Sequence, residues 1–100
     1  MDNIRLGSMY YKITETDKDV ILNYKVCRGM IDYENHEITI SNKENDKQNR
    51  FLTLLHEVVH GMLYENNLHE LNSEENVENI SKALYQVIID NKELFKVEEV

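Results

Sequence analysis

The sequence predicts an α+β fold, a small antiparallel β-sheet followed by two helices, on three observations. Up to residue 41, apolar and polar residues alternate in short runs. From residue 46 the apolar residues recur at helical spacing instead, and after a polar connector they do so again. Period two marks a half-buried strand, and period 3.6 a helix with one buried face.

The first runs are YYKITE and DVILNYKVC, where β-branched and aromatic residues alternate loosely with polar ones. GMIDYENHEITIS alternates more regularly. Its residues 30–33 and 36–40 read as two strands joined by a tight turn at Glu34-Asn35. Ile38 and Ile40 share one face of the second strand, with His36 beside them at period two. The sheet is expected over about residues 10–41.

Phe51, Leu54, Leu55, Val58, Val59 and Met62 form a helical stripe, which places a helix over about 46–65 with Asn45 or Asp46 as its N-cap. LHELN connects it to a second helix over about 73–90. Asn72 or Ser73 caps that helix, and glutamates fill its first turn, where the macrodipole favours them. Val77, Ile80, Leu84 and Ile88 are its apolar stripe. NKELFKVEEV reads as a further helical turn or a frayed end.

One hundred residues correspond to one domain, 1–100. A chain of this size buries only about two-thirds of its unfolded surface, so a bound metal would matter to its stability. The net charge is −8, from 19 acidic and 11 basic residues. That argues against nucleic acid and anionic membranes as partners, because both need a basic face. Cys27 is the only cysteine, so no disulfide forms within the chain. No stretch approaches the roughly 20 apolar residues of a membrane span. A soluble, cytoplasmic protein is expected.

The chemistry concentrates at HEVVH, His56 to His60. With His56 at 0° on the helical wheel, His60 falls at about 40° and Glu57 at about 100°. The apolar stripe fills the arc from about 160° to about 340°. Both histidines therefore stand together, clear of the stripe and one turn apart. Two imidazole nitrogens at that spacing can meet on one Zn2+ ion. Glu57 points past such an ion, where it can take a proton from a water bound there. Gly61 follows directly and allows another element to approach closely.

A catalytic zinc usually takes three protein ligands. Asn66 stands where the extended HExxHxxGxxH pattern has its last histidine. The third ligand is then His69 or a carboxylate of the second helix. Glu74 and Glu78 lie on one flank of that helix's apolar stripe, one turn apart, while Glu75 points away from the core. The reading adopted is Glu74 as ligand. Glu78 is either a carboxylate that holds a histidine N–H or the alternative ligand.

His56, Glu57 and His60, followed by a glutamate-bearing helix, resemble the gluzincin metallopeptidases. More closely, GMIDYENHEITI, TLLHEVVHGMLYE and LNSEENVENISKALYQVIIDN resemble the small HExxH proteins of phages and prophages. These are grouped with the ImmA/IrrE-type metallopeptidases. The resemblance covers about residues 10–91. It implies a minimal zincin-like domain with zinc held by His56, His60 and a glutamate, and Glu57 as general base. The larger relatives cut repressor proteins of mobile elements. A protein or peptide substrate in the host cytosol is therefore implied. Tyr64, on the metal face of the first helix, and Tyr85, on the flank of Glu74, are candidate oxyanion donors. A substrate strand could add to an exposed sheet edge.

Two other classes of function fit the composition. One is a non-catalytic, zinc-stapled binding module that engages a basic partner through its acidic surface. The other is a component of phage assembly. His36 reads as a strand surface residue and Cys27 as a small buried hydrophobe.

Overall fold

The computed structural model describes residues 3–43 and 46–96, and it is an α+β fold. Six strands precede two helices: β1 Asn3–Leu6, β2 Met9–Thr16, β3 Val20–Leu22, β4 Lys25–Cys27, β5 Gly29–Asp32, β6 Glu37–Ser41, α1 Lys47–Glu65 and α2 Glu74–Asp90. Short 3-10 turns at His69–Leu71 and Lys92–Phe95 follow the two helices. Both helices match their expected ranges to within a residue. Asp46 caps α1 by accepting from the Gln48 and Asn49 amides, and Ser73 caps α2 by accepting from Asn76. The other cap candidate, Asn45, lies outside the described residues. Among the described residues, no helix is long and apolar enough to cross a membrane.

The main sheet has the order β1-β2-β6-β5. The pairs β1–β2 and β6–β5 are antiparallel, but the central pair β2–β6 is parallel, with Ile13 beside Ile38 and Glu15 beside Ile40. The sheet is thus antiparallel-rich, as expected, with this one parallel pair at its centre. A parallel neighbour needs a long crossover, and residues 17–36, carrying β3, β4 and β5, supply it. The first strand, β1, extends the sheet beyond the expected start at residue 10. DVILNYKVC is two strands rather than one. It folds into a separate β3–β4 hairpin whose two-residue turn, Asn23-Tyr24, has both φ angles positive. That is the backbone of a type I′ turn, usually signalled by glycine, and a tyrosine in the second position hides it.

The turn between β5 and β6 comes where expected but is four residues long. Asp32 closes it by accepting from the amides of Glu34 and Asn35. His36 leaves it with φ 53°.

The core has two parts that meet at α1. Leu6, Tyr11, Ile38 and Ile40 of the sheet pack on Val58 and Leu54. Val59 and Leu63, on the adjacent face of α1, pack on Val77, Ile80 and Leu84 of α2. With one face on the sheet and the next on α2, α1 presents a third arc at the seam between β5 and α2. That arc carries the histidines. Gly61 is what lets the layers close. A Cβ there would overlap Leu6 Cδ1 and stand 3.1 Å from Ile31 Cδ1. Gly29 does the same for β5, where a Cβ would lie 2.8 Å from Thr53 and 3.4 Å from Glu57. The edge strand thus runs directly against the helix turn that bears the motif.

Candidate metal centre

His56 and His60 stand one turn apart on α1, with ring centroids 4.9 Å from each other. The first residue of α2, Glu74, reaches across to both. Its Oε2 lies 3.0 Å from His56 Nε2, and its Oε1 lies 3.0 Å from His60 Nε2. One ligand atom from each of the three residues falls within 4.8 Å of the others. The first turn of α2 is fixed by its Ser73 cap, so the position of Glu74 is set by a helix terminus rather than by a loop. Among the described residues, this is the group of histidine and carboxylate side chains arranged to hold a metal.

The outer nitrogen of His60 is also engaged. His60 Nδ1–H donates to Asn72 Oδ1 at 2.6 Å, and the Asn72 amide nitrogen donates to the Tyr33 hydroxyl at 3.2 Å. The amide therefore turns its oxygen to His60, and the imidazole must present a proton on Nδ1. In the neutral ring that leaves the Nε2 lone pair aimed at the Glu74 carboxylate 3.0 Å away. Two acceptors at that distance need a cation between them, either a proton or a metal ion. A proton makes the contact an ordinary N–H···O ion pair, and a metal ion would take the same three ligand atoms. On the other side, Glu78 Oε2 lies 3.7 Å from His56 Nδ1, beyond hydrogen-bond length but facing it as Asn72 faces His60.

Glu57 is 7% exposed, yet it lines the same cleft as both histidines. Burial pushes its carboxyl up to about 7, and the neighbouring Glu74 charge adds to the rise while His56 opposes it. A carboxyl with its proton affinity near neutrality suits proton exchange at working pH. The cleft has a volume of about 590 Å3 and lies between β5, α1 and the start of α2. Glu74 is 80% exposed at its rim, so one side of the histidine pair faces solvent.

The other expected residues lie elsewhere. Tyr64 stacks on Tyr33, ring centroids 4.1 Å apart, and Tyr85 tilts against Phe51. The tyrosine that lines the cleft is Tyr33. His69 sits edge-on to Tyr64 in the 3-10 turn, and His36 edge-on to Tyr11 at the far turn of the sheet. Glu75 is exposed on the outer face of α2. Cys27 is half-buried in the cleft wall rather than in the core. Sequence reasoning treated Asn72 only as a possible cap and passed over Tyr33. Asn72 lies 12 residues from His60 and 39 from Tyr33 along the chain, where no periodicity reaches. No family model matches the chain, and neither does any curated protein or solved structure.

Proposed function

We propose that this protein is a zinc-dependent metallopeptidase, with His56, His60 and Glu74 as metal ligands and Glu57 as general base. The observation that carries the reading is the convergence of one carboxylate on two histidine nitrogens at 3.0 Å each, beside a buried glutamate. Zinc bound there would acidify water and polarise a substrate carbonyl. The protein's own residues do the rest. Asn72 fixes the tautomer and plane of His60, and Glu78 faces the outer nitrogen of His56. Glu57 holds or releases a proton near neutral pH from a site that bulk water barely reaches. A purely structural site has no use for such a group.

A peptide fits the cleft better than a small polar molecule does. The outermost strand on this side of the sheet is β5, and Gly29, Met30 and Ile31 line the cleft. An extended peptide can pair its backbone with such an edge and so lie across the histidines. The reading agrees with the resemblance to ImmA/IrrE-type proteins, and with it a cytosolic repressor of a mobile element as substrate.

The test has two parts. Elemental analysis of the purified protein should find one zinc per chain. Zinc-loaded protein, incubated with a proteome-derived peptide library, should create new termini detectable by mass spectrometry. Those termini should vanish with Glu57→Gln, which removes a base worth about 10²- to 10⁴-fold in rate. Stoichiometric zinc with identical peptide maps from wild type and Glu57→Gln would leave a metal-binding module and sink the peptidase reading.

A further inference from the structure

Leu22 is 45% exposed, but it does not simply face bulk solvent: it lines the cleft. The β3–β4 hairpin that carries it belongs to no other sheet. Its register pairs Val20 with Cys27 and Leu22 with Lys25, so Val20, Leu22, Lys25 and Cys27 share one face. Val20 is buried and anchors the base. Ser41 donates to the Lys18 carbonyl at 2.9 Å, and Lys43 pairs with Asp19 at 3.0 Å, tying the hairpin's lead-in to the end of β6. The face so anchored becomes a wall of the cleft. Met30 of β5 and Leu52 of α1, one helical turn before His56, line the same cleft. Three apolar side chains from three elements therefore line the cleft that also holds His56, Glu57 and His60.

We infer that Leu22, Met30 and Leu52 form a selectivity pocket for an aliphatic, leucine-sized side chain of the peptide, and that Leu22 is its specificity-determining residue. The inference rests on the zinc-peptidase reading and names its substrate class. An aliphatic chain gains by covering Leu22, Met30 and Leu52, which are half open without it. A carboxylate side chain gains nothing from that apolar wall, and the cleft's charged lining is of both signs, Glu57, Glu74 and Glu78 with Arg28 and Lys82. A pocket of this kind discriminates by about 10- to 200-fold per methylene at best, so the preference is graded rather than absolute.

Hydroxamates test this without needing the natural substrate or turnover, because the hydroxamate group chelates zinc whatever it carries. Zinc-loaded protein is titrated calorimetrically with acetohydroxamate and with succinyl hydroxamates bearing a methyl, an isobutyl or a carboxymethyl side chain. The isobutyl compound should bind at least about 10-fold more tightly than either the methyl or the carboxymethyl one. In Leu22→Ser the isobutyl-to-methyl ratio should fall towards one. In Ile21→Ser, on the opposite and 57% exposed face of the same hairpin, the ratio should stay as in wild type. Equal affinities across the series, or an unchanged ratio in Leu22→Ser, would overturn the pocket while leaving the zinc reading intact. Failure of acetohydroxamate itself to bind the zinc-loaded protein would overturn both.

Discussion

His60 carries three constraints at once: an Nε2 that faces the Glu74 carboxylate, a hydrogen bond from Nδ1 to Asn72, and burial beneath the α1–α2 seam. His56→Ala or His60→Ala should each abolish stoichiometric zinc, since two remaining ligands hold the ion poorly. Replacing Glu74, Glu78 and Glu75 by glutamine should weaken zinc in that order. Glu74 touches both histidines, Glu78 faces one across 3.7 Å, and Glu75 points to solvent. Asn72→Ala should cost about 10- to 100-fold in affinity, because it frees the tautomer and plane of His60. Competition with a chromophoric chelator at one pH ranks all four, and a silent Glu74→Gln would remove Glu74 from the site. Glu57 yields a separate, metal-free test. Its carboxyl rises from 4.5 to about 7 on folding, so the native state keeps a proton that the unfolded chain releases. The stability this gives is full below pH 4.5 and is lost as pH climbs through about 7. Metal-free wild type should therefore lose up to roughly 3 kcal/mol between pH 4.5 and 8 relative to Glu57→Gln, which keeps the shape without the charge. Urea unfolding at the two pH values measures it, and parallel curves for the two proteins would rule it out.

The elements set these residues in place through two local devices. Ser73 starts α2 and so fixes the residue after it, Glu74, within reach of both histidines. Ser73→Ala should cost about 1 kcal/mol of stability and should also weaken zinc, because the helix start frays where the ligand sits. Gly61 costs α1 helix propensity, about 1 kcal/mol relative to alanine. Its value lies in the close approach of Leu6 and Ile31. Gly61→Ala should therefore destabilise the fold by about 1–3 kcal/mol despite the propensity gain, as overpacking usually does. Denaturant titration of the metal-free protein settles the sign; a more stable variant would mean that Leu6 yields without cost.

For the whole molecule, the proposed ligands come from two helices whose packing depends on a small core of Val59, Leu63 and Val77. Zinc that binds the folded arrangement and not the open chain should stabilise by about 4 kcal/mol at a thousand-fold excess over its Kd. Thermal melts with and without a chelator should differ accordingly, and identical melts would count against a folded-state site. Much of this architecture was legible in the sequence. Both helices, their caps at Asp46 and Ser73, the clear face of HEVVH and the flank shared by Glu74 and Glu78 all follow from periodicity and capping chemistry, which act within a turn or two of chain. The meeting of Glu74 with His56 and His60 could be read as a phase match between two helices. The tertiary structure decided what depends on distant neighbours. It put β6 parallel to β2, made β5 the edge beside the site, and chose Tyr33 rather than Tyr64 or Tyr85 to line the cleft. It also linked Asn72 to His60 and turned the hairpin into a wall. Local patterns record which face of an element is apolar; only packing decides which other element that face, and the polar one beside it, will meet.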